Sequence, residues 1–217
     1  MKYKTVIFDL DGTLLDTLQD LTNSVNFALR TMNYPERTIS EVRTFVGNGI
    51  GKLIERAVPE NTEKEDVQET LQIFKSHYEK HCEDCTSPYP GIYELLVHLK
   101  ECGIQVAVVS NKADFAVKKL CEKYFGNWVS LAIGEREGIR RKPAPDSVLS
   151  VLSQMTATPK ETVYIGDSDV DIETAYNSGI DIISVTWGFR DKDFLSRSGA
   201  LAFADSVEQL ENLILEK

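Results

Sequence analysis

Hydrophobic and polar positions along this chain follow two different periods, and where each holds predicts the architecture. Near the N-terminus a short apolar run, Val6-Ile7-Phe8, reads as a buried strand that stops at Asp9. Four further β-rich runs come much later: Ile104 to Val109, Val129 to Ile133, Val163-Tyr164-Ile165 and Ile180 to Val185. Helix-period segments separate them, at about Gly91 to Cys102, Asp114 to Tyr124, Pro145 to Met155 and Val170 to Asn177. Strands that are apolar along nearly their whole length are buried on both faces. Their alternation with helices predicts an α/β fold with a doubly wound (Rossmann-like) parallel sheet as its core. Ligands of such sheets bind beyond the carboxyl ends of the strands.

Between the first two strands the pattern is different. Leu18, Leu21, Val25, Ala28, Leu29 and Met32 follow helix spacing, as do Val67, Leu71, Phe74 and Tyr78, and no convincing strand intervenes. A parallel crossover needs only about a dozen residues. Residues 17–84 are therefore expected to form a helical cap domain inserted after the first strand of a core made from residues 1–16 and 85–217. Ser87-Pro88-Tyr89-Pro90-Gly91 reads as a stiff return linker, with Asp16 and Thr17 as the other connection. A cap in this position is expected to close over the sheet edge and exclude water.

Composition narrows the partners. A chain of 217 residues with a formal net charge of −10 is a poor match for nucleic acid or an anionic membrane. An anionic substrate then needs a local positive device. The first apolar run is broken by Asp9 after three residues, which is not a secretory pattern, and no stretch reaches the roughly 18 apolar residues of a membrane span. Cytoplasmic residence is the expectation, with Cys82, Cys85, Cys102 and Cys121 as free thiols. His77, His81, Cys82 and Cys85 loosely mimic a zinc site, but their spacing matches none of the usual paired patterns, and a solvated helix end is the simpler reading. The sequence favours neither monomer nor dimer.

The chemistry concentrates at strand ends. Asp9 and Asp11 follow the first strand one residue apart, and Gly12 lets the chain turn tightly behind them. Carboxylates this close repel, so one must bind a cation or hold a proton. Ser110 and Asn111 follow the second long strand, where they could equally cap the helix that starts near Asp114. Lys142 lies beside Pro143 and Pro145, behind Arg140 and Arg141, which read as a solvated basic turn. Asp167 follows the fourth strand in Gly166-Asp167-Ser168-Asp169-Val170-Asp171. Asp169 reads as a simple helix cap, and Asp171 is an acid at a helix start, a favourable place for one in any protein.

In that order, Asp9-Leu10-Asp11-Gly12-Thr13, Ser110-Asn111, Lys142-Pro143 and Gly166 to Asp171 resemble the signatures of the haloacid dehalogenase superfamily of phosphohydrolases, and the resemblance covers the whole chain. It implies a phosphatase acting on small phosphorylated metabolites. Asp9 is then the nucleophile that forms an aspartyl-phosphate, and Asp11 the acid and later the base. It implies Mg²⁺ held by Asp9, the backbone carbonyl of Asp11 and Asp167, with Asp171 behind the metal. Ser110, Asn111 and Lys142 then bind the phosphoryl oxygens, Lys142 supplying fixed positive charge. Superfamily members that cleave carbon–halogen bonds lack an acid at the place of Asp11, so its presence points to phosphate chemistry.

The segment Phe45 to Val58 is similar to the cap of the phosphoglycolate phosphatase branch, as are Trp187-Gly188-Phe189-Arg190 and Ala204-Asp205-Ser206. That similarity implies Asn48, Gly49, Lys52 and Arg56 as cap contacts for a small acid, 2-phosphoglycolate first among them. Lys52 stands one place past the position where many relatives carry arginine, and Lys52 and Arg56 also read as plain solvated charges. A phosphosugar phosphatase or mutase and a pyrophosphatase share this layout. More remotely, a receiver-like signalling domain phosphorylated on aspartate without turnover also combines acids, a hydroxyl, a lysine and Mg²⁺ on a doubly wound sheet, but the chain length, the inserted cap and the Asp9-Leu10-Asp11-Gly12-Thr13 spacing stand against it.

Overall fold

The computed structural model describes residues 2–216. Its chain divides into two compact units, one running through Leu15 and resuming at Pro88, the other spanning Asp16–Ser87.

The first unit is built on a six-stranded sheet. Its strands are β1 (Thr5–Phe8), β4 (Gln105–Ala113), β5 (Leu131–Glu135), β6 (Thr162–Gly166), β7 (Asp181–Val185) and β8 (Phe203–Ala204), in the order β5-β4-β1-β6-β7-β8. Every neighbouring pair is parallel. Helices α5 (Ile92–Glu101), α6 (Asp114–Phe125), α7 (Asp146–Gln154), α8 (Asp169–Ser178), α9 (Lys192–Arg197) and α10 (Val207–Leu215) connect or follow the strands.

Side-chain alternation splits the core into two layers. Val6 and Phe8 of β1 join Val106, Val108, Val163 and Ile165 against Leu96 of α5, Leu120 of α6 and Leu210 of α10. Ile7, between them, joins Ala107, Val109 and Tyr164 against Val148 and Val151 of α7 and Ala175 of α8. Helices therefore cover both faces, and the continuous apolar strands are explained: β1 and β6 are buried at every position. The doubly wound parallel sheet expected from the hydrophobic pattern is the one observed.

Two details differ from the sequence reading. The second long strand does not end at Val109 but continues to Ala113, with a register shift against β5 between those residues. Ser110, Asn111 and Lys112 thus lie in a strand, and the helix-capping alternative for Ser110 and Asn111 is not used: α6 is preceded by Ala113 and has no side-chain cap. Likewise Asp169 is not the cap of α8. Ser168 holds that position in a capping box closed by Asp171, because its hydroxyl can accept the Asp171 N–H while Asp171 returns the bond.

The second unit is helical: α1 (Leu18–Thr31), α2 (Ile39–Phe45), α3 (Gly49–Ala57) and α4 (Lys64–His81). Leu21, Val25, Ala28 and Leu29 of α1 meet Val42, Leu53, Ile54, Leu71, Phe74 and Tyr78 in its own core. Asp20, buried in α1, accepts the backbone N–H groups of Cys85 and Thr86, each at 2.9–3.0 Å, and the Thr86 hydroxyl. This buried carboxylate keeps the return segment with the helices. Cys82 lies in that core, whereas Cys85 is exposed, and His77 stacks between Phe27 and His81 while bonding Ser24. The chain crosses between the units at β2 (Leu15–Asp16) and β3 (Ser87–Pro88), which pair with each other. Among the described residues no helix is long and apolar enough to cross a membrane.

Candidate active site

The central strands β4, β1 and β6 end side by side, and each delivers polar residues at its carboxyl end. Asp9 continues the pairing of β1 through its N–H to the Ile165 carbonyl, 2.8 Å. The chain then folds back tightly: the N–H groups of Thr13, Leu14 and Leu15 all reach the Leu10 carbonyl. Gly12 makes that turn with φ +83°, and a side chain there would also strike Asp167, since its Cβ would stand 2.5 Å from Asp167 Oδ2. A second glycine, Gly188, presses on the same carboxylate from the loop after β7, where a Cβ would lie 2.4 Å from Asp167 Oδ2. Asp167 is thus seated between two backbones that only glycine permits. It accepts the Phe189 N–H at 2.6 Å and the Thr13 hydroxyl at 3.2 Å.

Lys142 is the positive centre. Its Nζ donates to Asp171 Oδ1 at 2.7 Å and to the Tyr164 hydroxyl at 3.0 Å, and lies 2.9 Å from Asp9 Oδ1. The Tyr164 hydroxyl passes its own proton to the Val109 carbonyl, 2.9 Å, so its lone pairs face the ammonium. Asn111 donates its side-chain amide to the Lys142 carbonyl at 3.0 Å, tying the lysine's backbone to β4.

Three carboxylates, Asp9, Asp167 and Asp171, bring oxygens within 4.8 Å of one another, all buried. Their environments differ. Asp171 is saturated: its Oδ2 accepts from the Asp167 N–H, the Ser168 N–H and the Ser168 hydroxyl, and its Oδ1 takes Lys142. Asp9 Oδ1, by contrast, is buried with no hydrogen bond among the described residues, despite the nearby ammonium. Burial pushes the Asp9 carboxyl up to about 7, Lys142 opposing and Asp171 and Asp11 assisting. Burial likewise raises Asp167 to about 8, with Asp171 and Asp9 adding repulsion. Burial alone would pull Lys142 down, but Asp171 and Asp9 outweigh it and hold it well above the usual lysine range. Lys142 thus faces two of the three acids, and Asp167 has no ion pair among the described residues. A buried, unbonded carboxylate oxygen beside a second acid of raised pKa, in an all-oxygen donor set, fits a hard divalent cation.

Asp11 faces elsewhere. Its carboxylate receives Lys112 Nζ at 2.8 and 3.1 Å. Ser110 is buried, and its hydroxyl oxygen accepts the Lys112 N–H at 3.3 Å. In the helical unit, Asn48 precedes α3 and Gly49 begins it with φ +81°. Arg56 donates to the Phe45 carbonyl and to Asn48 Oδ1, at 2.7 and 2.8 Å, so it ties that turn together, while Lys52 pairs with Glu55.

Sequence reasoning did not anticipate Lys112, the Tyr164 hydroxyl or the Phe189 N–H. A lysine directly after Ser110-Asn111 was an available signal. Tyrosine inside an apolar strand reads as core, and a backbone donor leaves no mark in a sequence.

Comparison with known proteins places the chain in a family. The family model of haloacid dehalogenase-like hydrolases matches residues 6–185. A phosphoglycolate phosphatase of Aquifex aeolicus is 30% identical over 98% of this chain and 99% of its own. One of Pseudomonas putida is 32% identical over 86% and 70%. A solved structure from Lactobacillus delbrueckii subsp. bulgaricus, of a protein provisionally named phosphoglycolate phosphatase, superposes with a TM-score of 0.96 at 38% identity over the full length of both chains. The chain belongs to the haloacid dehalogenase-like hydrolases and, within them, resembles the phosphoglycolate phosphatases.

Proposed function

We propose that this protein is a phosphatase of small phosphomonoesters, with 2-phosphoglycolate as its leading substrate, working through an aspartyl-phosphate on Asp9. The observation that carries the reading is the buried Asp9 carboxylate, its Oδ1 without a hydrogen bond and 2.9 Å from Lys142. Such a carboxylate stands at a strand end beside a fixed positive charge, the setting a nucleophile for an anionic ester needs. Relatives named phosphoglycolate phosphatase match nearly the whole chain, which favours that substrate over sugar phosphates or pyrophosphate.

In the first half-reaction an Asp9 oxygen bonds to phosphorus as the phosphorus–oxygen bond of the ester breaks, and Asp11 gives its proton to the leaving oxygen. In the second, Asp11 takes a proton from water as that water attacks phosphorus, and Asp9 is released. Lys142 offsets the charge of Asp9 and of the phosphoryl oxygens, held in place by Asp171 and Tyr164. Ser110 and Asn111 border the same strand end, the Ser110 hydroxyl keeping its proton to donate to a phosphoryl oxygen. Asp9, the Asp11 carbonyl and Asp167 would hold Mg²⁺, which would supply positive charge that offsets the repulsion between a carboxylate and a phosphate. Asn48, Gly49, Lys52 and Arg56 of the helical cap are the candidates for selecting the acid part of the substrate.

Asp9→Asn tests the reading on a panel of phosphorylated metabolites with phosphate release as readout. Turnover should vanish for every ester, and the wild type should prefer 2-phosphoglycolate. Undiminished turnover in the variant would refute the nucleophile. Interconversion of sugar phosphates without release would make the protein a mutase, and a phospho-aspartate that persists for minutes would make it a signalling module.

A further inference from the structure

Two buried ammonium groups stand at this site, and the reaction described so far uses only one. We propose that Lys112 is a positioning residue: it holds the Asp11 carboxyl group in place, so that when Asp11 is protonated one oxygen stays on the lysine and the other gives its proton to the leaving oxygen. The inference rests on the reading of Asp11 as the acid.

The side chain of Lys112 is 2% exposed and that of Asp11 14%. Its Nζ donates to both carboxylate oxygens, at 2.8 and 3.1 Å, which fixes the orientation of the carboxylate as well as its distance. Burying an ammonium is unfavourable enough that such an ion pair is weak support for stability alone. The backbone is built to bring it there. The register shift between Val109 and Ala113 is the kind of irregularity that re-aims side chains at a strand end. The Lys112 carbonyl also lies against Gly134, where a Cβ would come within 2.6 Å of it, so the strand backbone has no room to drift. Lys142 is occupied with Asp9 and Asp171, so the two lysines divide the acids between them.

Such a role has a signature that loss of structure does not share. An alkoxide leaving group needs a proton, whereas p-nitrophenolate departs without one. Only kcat/KM covers the steps through transfer to Asp9, where the leaving group departs, so it isolates the proton that Asp11 gives from the one it later takes. Lys112→Met should lower kcat/KM for 2-phosphoglycolate by about 10- to 100-fold, the scale of a misplaced reacting group. For p-nitrophenyl phosphate it should stay within about threefold of wild type. Lys112→Arg, which keeps the charge, should recover part of the loss. Equal losses on both esters, or none on either, would overturn the proposal. Lys112→Gln carries the same comparison if the methionine variant does not fold. Asp11→Asn separates the two readings. If it spares neither ester, Asp11 is not the acid and the role of Lys112 falls with it. If it is selective while Lys112→Met is not, only the role of Lys112 is refuted.

Discussion

Lys142 Nζ and Asp171 Oδ1 meet at 2.7 Å with side chains 3% and 0% exposed, and the carboxylate also closes the capping box that begins α8. One acid therefore joins the lysine's position to the start of a helix. Removing one partner of a buried pair leaves the other charged and unpaired, at about 3–5 kcal/mol. Lys142→Met should lose stability on that scale in urea unfolding, with Asp9 as well as Asp171 left without their cation.

Tyr164 offers a gentler test of the same centre. Its hydroxyl accepts from Lys142 and donates to the Val109 carbonyl. Tyr164→Phe removes the hydroxyl and takes one hydrogen bond from each of two buried partners, a loss of roughly 1–3 kcal/mol. The urea midpoint should fall without a change in slope, and turnover should fall with it.

Gly188 carries no chemistry, yet its replacement should be felt at the proposed cation site. A Cβ there would stand 2.4 Å from both Asp167 Oδ2 and the Gly12 carbonyl, and the backbone of the β1 turn cannot easily yield. Gly188→Ala should raise the magnesium concentration for half-maximal activity by about 10-fold or more, as changes to groups orienting a metal ligand commonly do. An unchanged magnesium requirement would mean that Asp167 is not a ligand.

The raised carboxyls predict a pH dependence whose sign can be stated. Asp9 and Asp167 titrate near 7 and 8 in the folded cation-free protein, against 3.8 for the ordinary aspartate. Between those values the folded state binds more protons than the unfolded, so the contribution of these groups to stability falls as pH rises. It is fully present below about pH 4 and lost as pH passes through 7 and 8. Melting temperatures in EDTA should therefore decline from about pH 5.5 to 8.5 more steeply for wild type than for Asp167→Asn. Adding Mg²⁺ at the upper end should restore the wild type and leave the variant nearly unmoved.

The parts of the fold that could be read in the sequence are those fixed by burial. Val6-Ile7-Phe8 and Val163-Tyr164-Ile165 are apolar because both faces of β1 and β6 are covered, and α1 and α4 show their inward stripes because each packs one face. Asp9, Asp11 and Asp167 were visible because acids at the ends of buried strands have no place in a core. The continuation of β4 through Ser110, Asn111 and Lys112 was hidden, since polar residues beyond Val109 resemble a loop and a register shift has no composition of its own. Strand β8 is two residues long, too short for any periodicity. Lys112 went unread because an isolated lysine is ordinarily solvated, and only the fold shows Asp11 waiting for it.

The paired strands β2 and β3 carry a consequence for how such a protein can diversify. They are hydrogen-bonded neighbours, so the chain leaves at Leu15–Asp16 and comes back at Ser87–Pro88 only about 5 Å away. The two attachment points stay together whatever the length of the segment between them. Evolution can therefore vary the inserted segment while the strand that carries Asp9 keeps its place in the chain, and an engineer can graft at the same seam.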